Sequence, residues 1–136
     1  MDFVTRISFA AGMFFCALCG QAAADDDAER KLASVAVFSP GINGFVARQS
    51  DGDKNYRSIL SGSRAQAAFI ALIQNSRATP EAKLYAACGL HKLRFANTDE
   101  LFTPDKTEQV TVLRGDVLRK ENFYLLYHSI KQFGCE

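Results

Sequence analysis

Two cysteines and two histidines are the residues of this chain whose types and spacing could do chemistry. Cys88 and His91 are three positions apart, which would place both side chains on one face of a helix. His128 and Cys135 lie further along the chain. The four could hold zinc as a Cys₂His₂ set, or form a thiol enzyme or hydrolase in which His91 or His128 activates Cys88.

The surroundings of these residues favour neither chemistry. Structural zinc sites usually contain two closely spaced ligand pairs, and the interval from His128 to Cys135 is wide. A reactive thiol needs a helix N-terminus or cationic neighbours, whereas Cys88 follows the apolar run Leu84–Ala87. We therefore assign no catalytic residue, no cofactor and no metal, and zinc is disfavoured. Enzymatic activity is left undecided, with a non-enzymatic role preferred.

Residues 1–24 have the pattern of a secretory signal peptide. Arg6 provides a basic start, and an uncharged apolar run extends from Ile7 to Gly20. This run is shorter than the roughly 20 residues that span a membrane as a helix. Small residues lead up to Ala24, and Asp25 begins an acidic run. We predict cleavage between these two residues and export to the periplasm, with secretion as the alternative.

Removal of this leader changes the cysteine count from four to an even pair, Cys88 and Cys135. An even pair in an exported chain favours a disulfide, and two unpaired thiols are the alternative. A bridge across 47 residues would restrict the unfolded chain and stabilise the fold by about 4 kcal/mol. We name this pair as the disulfide candidate.

Composition excludes several classes of protein. The chain has 136 residues, of which 48% are hydrophobic and 23% charged, and its net charge is +1. This balance provides no strong field for nucleic acid or for an anionic membrane surface. The length fits one domain. We predict a single mature domain, residues 25–136, that binds no nucleic acid and has no stable membrane span after cleavage.

Two helices in the middle of the chain must position Cys88 and His91. The first is predicted at Arg64–Asn75 with Ser63 as its N-cap. The second is predicted at Pro80–Leu93, where a cap residue, a proline and an acidic residue occur in succession. Because the second helix is apolar almost all round, we expect it to be buried and to pack on the first as an αα-hairpin.

A third helix is predicted at Glu121–Phe133, where the helical period of apolar residues returns. Tyr124 and His128 occupy its more polar side. We expect these two side chains, with the polar loop Phe95–Lys106, to form the surface that contacts a partner.

Short β-branched segments predict strands, and the charged segment Asp25–Lys31 is expected to fray. The predicted strands are Ser34–Phe38, Gly44–Arg48 and Gln109–Leu113, the last followed by a turn at Gly115–Asp116. The fold class is therefore α+β: one small domain with a helical core, made of the αα-hairpin and the C-terminal helix, and short antiparallel strands.

Several of these segments resemble a group of small exported bacterial proteins of unsettled function, some of which accompany microcin gene clusters. The resemblance covers Phe38 to Lys120 and is carried by Tyr56–Leu60, Ala68-Phe69, Glu81–Leu90, Val110–Val112 and Arg114-Gly115. The group tends to have a cysteine where this chain has Asp116. If that cysteine pairs with the helix cysteine in the other members of the group, the resemblance implies that the helix cysteine of this chain forms its disulfide with Cys135 instead.

The resemblance implies export and a small α+β fold, and it supplies no catalytic residue. We predict an exported, non-enzymatic protein that binds an envelope or secreted protein. The alternatives are the thiol enzyme or hydrolase described above and, from the resemblance alone, a module that protects against a microcin-type toxin.

Overall fold

A computed structural model describes residues 19–44 and 46–135 of the chain. The helices are α1 (Cys19–Ala33), α2 (Asp51–Leu60), α3 (Ala65–Gln74), α4 (Pro80–Lys92), α5 (Thr98–Leu101) and α6 (Phe123–Phe133). The strands are β1 (Ile42–Asn43), β2 (Arg48–Gln49), β3 (Gln109–Arg114) and β4 (Val117–Asn122), which form two antiparallel pairs, β1–β2 and β3–β4. The predicted α+β class is confirmed.

Helix α4 lies at the centre of the fold and begins where the sequence predicts. The Thr79 hydroxyl accepts a hydrogen bond from the Ala82 amide at 3.1 Å and donates one to the Val35 carbonyl at 2.6 Å. The same residue therefore caps α4 and ties it to the segment after α1. From Leu84 to Leu90 every residue of α4 is buried.

Helices α3 and α4 pack together as the predicted αα-hairpin. Gly89 lies directly against the Phe69 ring, so closely that a Cβ at this position would collide with it. The N-cap prediction was wrong: Arg64 occupies the cap position without a side-chain cap bond, and Ser63 does not cap the helix. The buried Ala65 and the core packing that follows set the start of this helix.

The hairpin of β3 and β4 turns at Gly115–Asp116, as predicted, and its register pairs Gln109 with Asn122. Glu81 Oε1, at the start of α4, accepts a hydrogen bond from the Thr111 amide at 2.8 Å and joins the two elements. The strand predicted at Ser34–Phe38 was wrong, since only Phe38 forms a bridge, parallel to Val112.

The strand predicted at Gly44–Arg48 was also wrong. Gly44 and Ala47 have φ angles of 80° and 51°, so the chain turns between β1 and β2 instead of continuing as a strand. The short pair that forms aligns Ile42 with Gln49.

The charged segment predicted to fray belongs to α1. Ala28 and Leu32 lie four positions apart and are both buried, while Asp27 pairs with Lys31 at 2.7 Å on the outside. Ala24 and Asp25 also lie within α1, and residues 1–18 of the predicted leader are outside the described part of the chain. Cleavage between these two residues stays a prediction.

Helix α6 and the loop that contains α5 complete the fold and pack against each other at the Tyr127 ring. Asn122 caps helix α6, since its side chain accepts a hydrogen bond from the Leu125 amide at 3.0 Å. The polar loop predicted at Phe95–Lys106 contains the short helix α5 and packs Phe102 edge-on against the Tyr127 ring. Within the described residues, no helix has the length and apolar character needed to cross a membrane.

Candidate functional site

The structure joins Cys88 on α4 to Cys135, just after α6, by a disulfide whose Cα atoms are 5.6 Å apart. The bridge ties the last segment of the described chain to the buried central helix. In this state neither sulfur is a thiolate, so neither can act as a nucleophile or as a zinc ligand. Among the described residues, no three His, Cys, Asp or Glu side chains are grouped as metal ligands.

The two histidines lie in different places. His91 is beside the disulfide, where its ring packs closely against the Gly134 backbone. His128 is exposed on α6, and its ring lies 4.3 Å from the Tyr124 ring, centroid to centroid. The Lys106 ammonium is 5.6 Å from the centre of the Tyr124 ring. The end of the predicted interaction loop therefore does meet the Tyr124 and His128 face.

A depression, which we call the hairpin cleft, lies between the β1–β2 loop and the β3–β4 turn. Its volume is about 450 Å³. The loops approach so closely that a Cβ on Gly44 would collide with the Asp116 carboxylate. The lining residues are Ser39, Asn43, Gly44, Val46, Arg48, Ser50, Leu113, Gly115 and Asp116.

Exposed aliphatic side chains lie on the two hairpins that form the cleft. Val46 lines the cleft and is 84% exposed, and Ile42, on the same loop, is 71% exposed. On the opposite hairpin, Val117 and Leu118 are 53% and 60% exposed, and Leu118 pairs with the lining residue Leu113. Single exposed aliphatic residues are ordinary, but Val46 lines the cleft and three more lie on the two hairpins that form it, which makes this end of the molecule a candidate recognition surface.

A buried carboxylate holds the β1–β2 loop in place. The Asp53 side chain is 1% exposed and accepts hydrogen bonds from the Gly41 amide at 2.9 Å, Gln49 Nε2 at 2.6 Å and Arg57 Nε at 2.8 Å. Burial alone would raise the pKa of Asp53. The three hydrogen bonds and the Arg57 charge together outweigh burial and hold this pKa below its ordinary value.

Tyr85 continues the same network from α4. Its hydroxyl oxygen accepts from the Ser39 amide at 3.0 Å and lies 3.4 Å from Ser50 Oγ. Ser50 Oγ accepts from the Asp53 amide and donates to the Ser39 carbonyl, both at 3.0 Å. Burial raises the pKa of Tyr85. The floor of the cleft is therefore already formed without a partner.

The arrangement of the hairpin cleft suits binding. The Ser39 hydroxyl accepts from Asn43 Nδ2 at 2.9 Å, and the Ser50 hydroxyl caps α2. Both hydroxyls are thus engaged in bonds that shape the loops, and neither His91 nor His128 lines the cleft. A preformed polar floor with an aliphatic border can receive a segment of another protein.

Asp53 and Tyr85 are not among the residues predicted from the sequence, although one local pattern points to the first. Ser50 and Asp53 have the spacing of a capping box, with a cap residue followed three positions later by an acidic one. No local pattern identifies Tyr85, because its partners lie 35 and 46 positions away.

Comparisons with protein families, with curated proteins and with solved structures give no match to this chain. The resemblance to exported proteins of microcin gene clusters therefore stays a prediction.

Proposed function

We propose that the protein is an exported, non-enzymatic module that binds another protein at the hairpin cleft. The observation that carries the proposal is the exposure of four aliphatic side chains, Ile42, Val46, Val117 and Leu118, on the two hairpins that border the cleft. Removing apolar surface from water contributes roughly 25 cal/mol per Å², so covering this border would favour association.

The element we propose for the partner is an extended segment with aliphatic side chains. Among the described residues β4 pairs with β3 alone, so its other edge has backbone groups that could pair with an added strand. Arg119 and Lys120 on β4 are exposed and basic. A segment that also carries acidic side chains would complement them.

Export is supported by the disulfide, since such bonds persist in oxidising compartments and are rare in the cytosol. The thiol-enzyme alternative has no support from the site, because the Cys88 sulfur is bonded to Cys135. The protective role against a microcin-type toxin stays a prediction from the resemblance, as does the contact surface at Tyr124 and His128.

The test is photo-crosslinking in cells that export the protein. A benzophenone amino acid at Val46 should give a discrete adduct with one protein in the periplasmic fraction. The same probe at Gln66, an exposed position on α3, should not. A probe at Tyr124 distinguishes the hairpin cleft from the α6 face.

The crosslinked protein is then purified and its affinity for the wild-type chain is measured. Val46→Asp should weaken binding by roughly tenfold or more, because it places a charge at an interface that must lose water. Gln66→Asp should bind as the wild type does. Equal binding by Val46→Asp, or adduct formation from Tyr124 alone, would contradict the proposal.

A further inference from the structure

A second depression, which we call the disulfide cavity, lies beside the Cys88–Cys135 bridge. Its volume is about 580 Å³, within the range of small-molecule sites. Four basic side chains from the ends of α4 and α6 line it: His91, Lys92, Arg94 and Lys131. No acidic residue is among its described lining residues, although Lys131 pairs with Asp99 just outside the cavity.

Arg94 has an unusual backbone conformation for its residue type. It follows the end of α4, where its amide donates to the His91 carbonyl at 3.0 Å and the Phe95 amide donates to the Leu90 carbonyl at 2.9 Å. These two bonds form a Schellman motif, whose left-handed position normally carries glycine. Arg94 adopts this conformation with φ 58°, which is unfavourable for a residue with a Cβ.

The strained position places an exposed guanidinium at the cavity. Arg94 forms no ion pair with the described residues, so its charge is available to a ligand. Residues held in such conformations cluster at functional sites, where the side chain compensates for its backbone cost. A glycine would form the same helix end with less strain, but it would have no charge.

Lys131 supplies a second, partly desolvated charge. Its side chain is 15% exposed, it pairs with Asp99, and its ammonium is 5.1 Å from the centre of the Tyr127 ring. Burial lowers the pKa of Lys131. A charge with limited access to water interacts more strongly with a bound anion than a fully hydrated charge does.

Helix C-termini attract cations, which accounts for part of this arrangement. Each helix end carries about half a negative charge, so α4 and α6 stabilise the basic residues in their last turns. Arg94 lies two positions after the last residue of α4, within reach of the same attraction. The attraction favours a basic residue near the helix end, but it does not require that residue to adopt the left-handed conformation suited to glycine.

The rest of the wall is largely apolar. Tyr56, Phe95 and Phe133 contribute aromatic rings. A ligand that matches both parts of the wall has an apolar body and an acidic group. We propose that the disulfide cavity binds a small organic acid, with its acidic group at Arg94 and its apolar body against the aromatic side chains.

The experiment is isothermal titration of the purified, disulfide-bonded protein with 2-naphthoate, using the uncharged 2-naphthamide as the matched probe. Naphthoate should bind at least tenfold more tightly than naphthamide, because only the former has a charge for Arg94. Amide chemical shifts should change at Arg94 and Gly134 and stay constant around the hairpin cleft. Equal affinities, no naphthoate binding at millimolar concentration, or shifts confined to the cleft would overturn the proposal.

Arg94→Gly separates binding from folding. Glycine fits the left-handed position, so the Tm should rise by about 3 °C while the affinity for naphthoate falls roughly tenfold. Arg94→Lys keeps the charge and should retain most of the affinity. Arg77→Gly, at an exposed arginine before α4, should leave naphthoate binding unchanged. Unchanged naphthoate affinity in Arg94→Gly would refute the assignment.

A further control concerns Glu136, a carboxylate of the chain itself that would compete with naphthoate if it reached the cavity. It directly follows Cys135 in the sequence and lies outside the described residues. Glu136→Gln removes this potential competitor and should not weaken naphthoate binding. A weaker affinity in this variant would contradict an anion site at the cavity.

Discussion

The hairpin cleft and the disulfide cavity lie on one small domain but are built in different ways. The cleft lies between loops, one of them held by hydrogen bonds to the buried side chains of Asp53 and Tyr85, and its exposed border is aliphatic. The cavity lies beside the Cys88–Cys135 bond, which joins α4 to the segment after α6, and four basic residues line it. A polar network thus lies under one depression and a covalent bond beside the other.

This difference follows from the backbone at each place. Helix ends such as that of α4 satisfy most of their backbone groups within the chain, and the cross-link adds to the direct packing of α4 on α6. The loop from Ser39 to Gln49 has few backbone partners of its own. Its polar groups need acceptors elsewhere, and Asp53 and Tyr85 supply them.

The largest expected effect comes from removing the covalent bond. The double variant Cys88→Ala with Cys135→Ala should lose about 4 kcal/mol of unfolding free energy, because a 47-residue loop is no longer closed in the unfolded chain. Urea unfolding measures this loss. Naphthoate binding at the cavity should weaken, whereas crosslinking from Val46 at the cleft should continue.

Two controls accompany this variant. The wild-type protein in reductant should unfold at the same urea concentration as the double variant does. The intact mass of the oxidised protein should be two hydrogens below the reduced value, and the same mass locates the mature N-terminus. A loss smaller than about 1 kcal/mol would mean that the bond does not restrain the unfolded chain as the loop-entropy model requires.

The second effect tests the polar side of the comparison. Asp53→Asn should cost about 2–3 kcal/mol at pH 7, because hydrogen bonds from Gly41, Gln49 and Arg57 lose their charged acceptor. Exchange of the Gly41 amide should accelerate, whereas naphthoate binding at the disulfide cavity should not change. Asp51→Asn, on the exposed side of the same helical turn, should cost about 0.5 kcal/mol or less.

The loss of stability in Asp53→Asn should depend on pH. Because the folded-state pKa of Asp53 is lowered, its ionised form stabilises the fold above the ordinary aspartate pKa. That contribution disappears as the pH falls through the folded-state pKa. The stability difference between wild type and Asp53→Asn should therefore be constant near neutral pH and shrink below about pH 4. A difference that grows on acidification would contradict this assignment.

The helical half of the fold could be predicted because its determinants are local. Thr79 and Pro80 mark the start of α4, and the apolar residues that follow repeat at helical spacing. The disulfide could be predicted from the cysteine count. By contrast, among residues 24–33 of α1 only Ala28 and Leu32 are buried, too few apolar positions in this charged run to form a periodic pattern.

The hairpin cleft could not be predicted because it depends on contacts between distant residues. Ser39 bonds to Tyr85 across 46 positions, and Gly44 meets the turn at Asp116. Ala47 adopts a left-handed conformation that its residue type does not suggest. The segment 44–48 has β-branched and aromatic residues that favour a strand, and tertiary contacts override that preference.

The smallest effect separates the two hydrogen-bond acceptors that hold this loop. Tyr85→Phe keeps the buried ring and its packing against Phe38, and removes only the hydroxyl that accepts from the Ser39 amide. An amide left without a partner in a buried position costs about 1–2 kcal/mol, less than the loss of the Asp53 charge. Urea unfolding should show this loss, and hydrogen exchange should accelerate at Ser39 more than at Gly41, which still bonds to Asp53.

Tyr124→Phe removes a hydroxyl on the α6 surface and should change stability by less than about 0.5 kcal/mol. Equal acceleration at Ser39 and Gly41 would show that the loop opens as one unit, so that the polar network, like the disulfide, acts as a single restraint.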